Sequence, residues 1–473
     1  MASRVRFIIG AGLAIALTGS CTGQPPPVER DAHVLDTQGR SQALIVTPGG
    51  VAQRAVMIEP GTEAQASEYY RVVDAELGES FAWFNRVLAY FGYEGLSGLD
   101  LERLSPGILM DPPRLIGAVP NQAFRAAVKL LPLESGEILS SRFFAPKITD
   151  VSLTSDPPLL GWRKVVRLKS RTTSRARAAG LDAAWVLFNV FSNSDDPFAA
   201  RSSNNQVMLV RTAAASKPPR PIYWLMYNSV ASGDGERTDH LDASFDARDP
   251  KLASGKYYVP TACAQCHGGL DHPEFLAARL NYLDTDHWFD RTKDDFTHLP
   301  AGIGVIVDGG TDVEDVRFKR AFNVIYQLNQ EIRAQNHSVS AADPGSFQLR
   351  AVDTWLAVHK NNNRFIDMFD RNVAPQGGQQ WSKENQVDRQ LLPLLSRYCF
   401  RCHSSVEYHV FDKDAVLDRT GRMVSRLKLP FNTSRAMPAD RNMRLSPAAS
   451  RDLDCLLRLL PLVGQNVATA CGG

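Results

Sequence analysis

Cysteine is scarce in this chain: there are seven among 473 residues, and none between Cys21 and Cys263. That gap excludes a disulfide framework and a thiolate metal site from roughly the first half of the mature chain, where no catalytic motif stands out either. Charge of one sign is also lacking, since 53 Lys and Arg against 51 Asp and Glu leave only +2. The two signs are interspersed, which gives no basis for nucleic-acid binding. The nearest thing to a basic run is Lys164 to Arg177, with Arg167, Lys169, Arg171 and Arg175, and it reads as a solvated strand and loop. The apolar run Phe7 to Leu17 is too short to cross a bilayer as a helix, so no permanent transmembrane anchor is expected.

That run instead follows Arg4 and Arg6 and ends in Thr18-Gly19-Ser20-Cys21, the basic, apolar and small order of a secretory signal over residues 1–21. The small residues before Cys21 resemble a bacterial lipobox, with Thr18 where that motif usually has Leu. Cys21 is thus a candidate for lipidation, the alternative being ordinary cleavage near this site. Residues 22–60, beginning with Gln24-Pro25-Pro26-Pro27, would then tether the protein off a membrane. The expected location is the periplasm of a Gram-negative bacterium, anchored through that lipid if it is attached.

Four of the remaining cysteines fall in two copies of one pattern, Cys263-Ala264-Gln265-Cys266-His267 and Cys399-Phe400-Arg401-Cys402-His403. Two thiols one helical turn apart with an imidazole beside the second is the spacing of covalent c-type haem attachment. The thiols form thioethers with the porphyrin, and His267 and His403 become proximal iron ligands. Two c-type haems are therefore expected. A four-thiolate zinc site is the alternative, disfavoured by the long separation of the two pairs. Cys455 and Cys471 are left over, sixteen positions apart. In an oxidising compartment they can form a disulfide stabilising by roughly 3 kcal/mol, the alternative being two free thiols.

Texture along the chain divides it further. Thr62-Glu63-Ala64-Gln65 has capping-box form, opening a helix to about Leu77, and Phe81, Phe84, Leu88 and Phe91 mark a second apolar stripe ended by Gly92. From about Gly161 the pattern turns to strands, at Val165–Leu168, Trp185–Phe191, Val207–Val210 and Ile222–Tyr227, with turn-rich stretches such as Ser192–Pro197 between them. Helical stripes return with Phe318, Phe322, Ile325, Leu328 and Ile332, then with Leu349, Val352, Leu356 and His359, and a further helix from about Val387 to Tyr398 leads into the second motif. The expected fold is multidomain. An N-terminal α+β module with antiparallel strands (61–250) precedes two mainly α haem domains (251–375 and 385–473).

The sixth ligand decides whether a haem carries electrons or does chemistry. After His403 come Met437-Pro438, then Ser446-Pro447 in the form of a helix start, then Leu453, Leu456, Leu457 and Leu460. Met437 is the expected distal ligand, with Met443 as competitor. Between His267 and Met368 there is no Met, which leaves His272, His287, His298, His337, His359 or an open position for the first haem. His287 is preferred, because it sits among Tyr282, Trp288, Phe289 and the carboxylates Asp284, Asp286 and Asp290, one of which could orient its imidazole. His359 lies on an apolar stripe and reads first as a core histidine.

Residues 255–473 resemble di-haem c-type cytochromes, in an arrangement similar to the bacterial di-haem cytochrome c peroxidase group. The resemblance rests on the two haem motifs and the Met-Pro pattern. It implies a low-potential first haem, at His267 with His287 on the distal side, and a high-potential electron-donating second haem, at His403 and Met437. It further implies a redox partner protein and, at the first haem, peroxide or oxygen. Some 230 mature residues precede the haem region that the simple peroxidases lack, and Asp284, Asp286 and Asp290 are merely near the place of a catalytic acid. The expected function is electron transfer, with a peroxidase-type oxidoreductase as the alternative.

Overall fold

The structure is a computed structural model that describes residues 32–35, 41–46, 52–53, 61–102, 108–109, 136–146, 160–190, 202–211, 221–231, 237–246, 256–267, 278–283, 312–338, 347–360, 367–403, 408–430, 437, 447–468 and 471. It is a mixed α+β protein in two compact units, Met1–Met57 and Ile58–Gly473. In the first unit, β1 (Ala32–Leu35), β2 (Ser41–Val46) and β3 (Ala52–Gln53) form an antiparallel sheet, where the sequence suggests only a tether. Cys21 and the expected signal segment lie outside the described residues. Among the described residues no helix is long and apolar enough to cross a membrane.

The second unit is built on a seven-stranded antiparallel meander. Its strands are β4 (Ile108–Leu109), β5 (Ile138–Pro146), β6 (Leu160–Lys169), β7 (Ala183–Val190), β8 (Ser202–Val210), β9 (Ile222–Ala231) and β10 (Arg237–Leu241). On one face Val166, Val186, Val207 and Leu225 lie in register across four strands, all buried. On the other, Arg167, Trp185, Met208 and Trp224 do the same. A sheet apolar on both faces needs cover on both.

The first face is covered by α1 (Glu63–Leu77) and α2 (Phe84–Tyr90). Thr62 caps α1 by accepting from the Gln65 N–H at 3.2 Å, and Gly78 ends it with φ 62°, a left-handed conformation that glycine adopts without a steric penalty. Ala66, Tyr69, Tyr70, Val73 and Leu77 form its buried stripe. Phe84 of α2 meets Phe188 and Tyr227 edge-on, with ring centroids at 6.4 and 5.4 Å. The second face takes α6 (Asp312–Ser338), whose Val324, Ile325, Leu328 and Ile332 enter the same core. Between these come α3 (Gly98–Glu102), α4 (Arg175–Ala178), the hairpin of β11 (Ser244–Asp246) with β12 (Lys256–Tyr258), and α5 (Thr261–His267).

Two cations of the basic run are not solvated. Lys164 is fully buried and donates to the Glu102 carbonyl, while Arg167 is 4% exposed, pairs with Glu331 of α6 and donates to the Gly136 carbonyl at 2.9 Å. Their positions on inward-facing rows of β6 bury them, with the Glu331 carboxylate offsetting the Arg167 charge and the Glu102 carbonyl accepting from the Lys164 ammonium. Lys169, Arg175 and Arg177 remain exposed.

The core of the sheet continues through Ala264, Leu280 and α6 to α7 (Phe347–His359), so residues on both sides of position 250 share it. A second core is formed by α8 (Gln386–Tyr398), α9 (Phe400–His403), α10 (Lys413–Lys428) and α11 (Pro447–Leu459) with Val373 and Trp381. Asn385 caps α8, accepting from the Val387 and Asp388 N–H groups. Cys455 of α11 is joined to Cys471 by a disulfide with its Cα atoms 5.5 Å apart.

Candidate haem-attachment sites

The first motif occupies the whole of α5. Cys263 is half-buried and packed against the first core, and Cys266 lies one turn further along the same helix. His267 ends the helix, its ring 6.3 Å from that of Trp224 on β9. Its Nδ1 donates to the Arg279 carbonyl at 2.8 Å, and its own carbonyl accepts from the Arg279 N–H at 2.6 Å. Burial pushes the imidazole down to about 4, against the opposing pull of that carbonyl. The ring is therefore neutral at pH 7 with its proton held on Nδ1, which presents the Nε2 lone pair, the form that coordinates iron.

Arg279 belongs to the segment 278–283, which α6 holds by two buried asparagines. Asn336 accepts from the Leu280 N–H at 2.9 Å and donates to its carbonyl at 2.8 Å. Asn329, two turns earlier, does the same for Leu283, at 2.7 and 2.9 Å. Both amides are fully buried, so each supplies backbone groups with the partners that a neighbouring strand would otherwise give.

The second motif begins at the end of α8, where Cys399 donates its N–H to the Leu395 carbonyl, and continues as α9. Cys399 is half-buried against the second core. The His403 ring stacks on Tyr408 at 4.3 Å with 22° between planes, and the Arg419 guanidinium lies 5.4 Å from the Tyr408 centroid. Phe400, inside the motif, packs with Phe411 beneath the Arg371 guanidinium, which is 5.2 and 4.3 Å from the two rings. Met437 is half-buried against this same core, its N–H donating to the Arg426 carbonyl at 3.1 Å. Cys399 and Met437 thus share one cluster.

The other expected ligands are distributed differently. His287, His272, His298, Met443 and the carboxylates Asp284, Asp286 and Asp290 lie outside the described residues. His337 faces Asp353 of α7 at 3.1 Å on the surface. His359 is buried, with Nδ1 donating to Trp355 O at 2.6 Å and its ring stacked on Trp355 at 4.1 Å, a core histidine.

Tyr282, expected only as an aromatic neighbour of His287, and His409, absent from the expected ligands, meet between the motifs. Tyr282 Oη is 3.0 Å from His409 Nε2, with the rings stacked at 6.1 Å. His409 is 1% exposed and its Nδ1 accepts from the Phe411 N–H at 3.2 Å. The only sequence signal was the aromatic run Tyr408-His409-Val410-Phe411 so close to His403.

A porphyrin brings four nitrogen ligands, so a haem asks the chain only for thiols and one or two axial donors. The donor sets fit that requirement: a thiol and a neutral imidazole share one short helix in the first motif, and in the second Cys399 at the end of α8 is followed by His403 on α9. Cys263 packs against the first core and Cys399 against the second, which gives no support to a single four-thiolate site. Among the described residues, no group of three or more His, Cys, Asp and Glu side chains forms a metal cage. No protein-family model matches the chain, and no curated protein or solved structure matches it significantly.

Proposed function

We propose that this protein is an exported di-haem c-type cytochrome that passes electrons between a redox partner protein and its two haems. The observation that carries the reading is the seating of the two Cys-x-x-Cys-His segments. Each is helical and lies against its own core, and His267 is locked by Arg279 into the iron-binding tautomer. When bound, the haems supply the one-electron iron couple. The chain's own groups hold and tune them: thiols for attachment, His267 and His403 on the proximal sides, and Met437 as the distal thioether that would raise the potential of the second.

The test is pyridine haemochrome spectroscopy on protein made in a host competent for c-type maturation. Two haems per chain are expected, falling to one when Cys263 and Cys266 are replaced by Ala. A chain without covalent haem ends the reading. Met437→Ala should abolish the weak near-infrared band of thioether-iron ligation, and its persistence would hand that role to Met443.

A second reading, a peroxidase-type oxidoreductase in the manner of the di-haem cytochrome c peroxidase group, is favoured by the asymmetry of the two sites. Met437 stands by the second motif, whereas no Met lies between His267 and Met368. His287 would then be the distal group of the first haem, with peroxide or oxygen as the reactant. A high-spin ferric EPR signal would favour this reading, and two low-spin haems indifferent to cyanide and peroxide would dismiss it. Membrane attachment through lipidated Cys21 predicts recovery in the membrane fraction and release by Cys21→Ala.

A further inference from the structure

We infer that Tyr282 and His409 form the joint through which the two attachment sites exchange an electron, a proposal that rests on the di-haem reading. Among the partly buried apolar residues described, Tyr282 is the one that packs against both cores. Each side of it leads to a motif through short contacts. Towards the first, the His267 imidazole is bonded to the Arg279 carbonyl at 2.8 Å, and two residues of chain, Leu280 and Asn281, connect Arg279 to Tyr282. Towards the second, Tyr282 Oη meets His409 Nε2 at 3.0 Å, and the His409 ring lies edge-on to Phe400 at 5.4 Å and 76°. Phe400 stands between Cys399 and Cys402 in the motif itself.

The pair is also fixed. His409 Nδ1 accepts from the Phe411 N–H, so the neutral ring carries its proton on Nε2 and donates it to Tyr282 Oη. Asn336 and Asn329 hold the backbone on either side of Tyr282. The bond is part-buried, with His409 itself 1% exposed, and a lowered local dielectric strengthens it. One electron leaves ferrous iron at the His403 site and reduces ferric iron at the His267 site. No proton crosses, because the shared proton stays on Nε2 throughout.

The experiment uses the full-length holoprotein, with two haems per chain first established by pyridine haemochrome. One electron is injected by pulse radiolysis, its redistribution between the haems is followed optically, and both midpoint potentials are titrated in the same samples. Tyr282→Phe keeps the ring and deletes the hydroxyl, Tyr282→Leu deletes both, and Tyr326→Phe on α6 is the control. The expected result is redistribution slowed several-fold in Tyr282→Phe and further in Tyr282→Leu, with haem content and potentials unchanged and the control at the native rate. Native rates in both Tyr282 variants would overturn the proposal, as would slowing accounted for by shifted potentials. Fewer than two haems in the native chain would instead sink the di-haem reading.

Discussion

Asn329 and Asn336 each do with one side chain what a neighbouring strand does with its backbone, and the energetic consequence is local and large. Truncating Asn336 leaves the buried N–H and carbonyl of Leu280 unpaired, and truncating Asn329 the part-buried pair of Leu283, at about 1–3 kcal/mol per buried group. Asn329→Ala should therefore lower the unfolding free energy by roughly 2–5 kcal/mol, read from urea denaturation. Asn329→Asp should also be damaging, because a carboxylate accepts from the Leu283 N–H but cannot donate to its carbonyl. Equal stability of Asn329→Ala and the native chain would show that the segment at Leu283 is not held in this way. The ion pair of Lys413 with Asp388, 2.7 Å apart and 7% and 0% exposed, makes a sharper case. Asp388→Ala strands a buried ammonium and leaves the Ser382 N–H without its acceptor, at a cost of about 3–5 kcal/mol. Replacing both partners together by apolar residues should recover much of that loss, a non-additivity that a double-mutant cycle would detect.

At the scale of elements, the outer edge of β9 explains why α1 carries two adjacent tyrosines. β10 pairs with β9 only from Tyr227 to Ala231, so the N–H groups of Trp224 and Met226 have no strand beside them. The Tyr69 and Tyr70 hydroxyls accept from these two N–H groups at 2.8 and 3.3 Å. Burial, aided by the nearby Cys263, pushes the Tyr70 hydroxyl well above its ordinary range, so it remains protonated and also donates to the Asp242 carbonyl. Replacing both tyrosines by Phe should expose a pairing-competent edge. The expected outcome is about 2–4 kcal/mol lost in thermal or urea unfolding together with concentration-dependent aggregation, whereas monomeric behaviour with native stability would refute the capping role. This level of structure was partly legible beforehand. Thr62 and Gly78 bound α1, and the aromatic and β-branched runs of β6 to β9 identify strands, because capping and alternation are local properties. The cover of β9 by tyrosines was not, since it depends on which strand ends where. Lys164 and Arg167 were misread for the same reason: charge on a strand says nothing of its partners, and only the packing of α3 and α6 on β6 reveals them.

For the molecule as a whole, the arrangement matters more than either motif. The first core extends from Tyr69 to Leu356 and contains the sheet, so the first attachment site belongs to the same body as the strands rather than to a separate helical domain. No local pattern signals this. The contact of residue 282 with residue 409 crosses 127 positions, and the second face of the sheet is covered by a helix from beyond position 310. The second core is smaller, more local and pinned by the disulfide of Cys455 with Cys471. Reduction should loosen it by roughly 3 kcal/mol in the chain-entropy account, visible as a lower urea midpoint for the unfolding of this core. Under the di-haem proposal, the two cores should respond separately to loss of the second attachment site. With Cys399 and Cys402 both replaced by Ala, the larger core keeps its sheet and its His267 tautomer, so one haem per chain should remain covalently bound with its spectrum little changed. On the di-haem reading the second core then lacks its haem, so ligand linkage should lower its stability while leaving the first unaltered. Unfolding should split into two transitions, the lower one abolished in a chain truncated after residue 380 and the upper one coinciding with loss of the haem at His267. A single cooperative transition with both haem signals lost together would mean that the two cores stand or fall as one, with Tyr282 and His409 as much a structural tie as an electronic one.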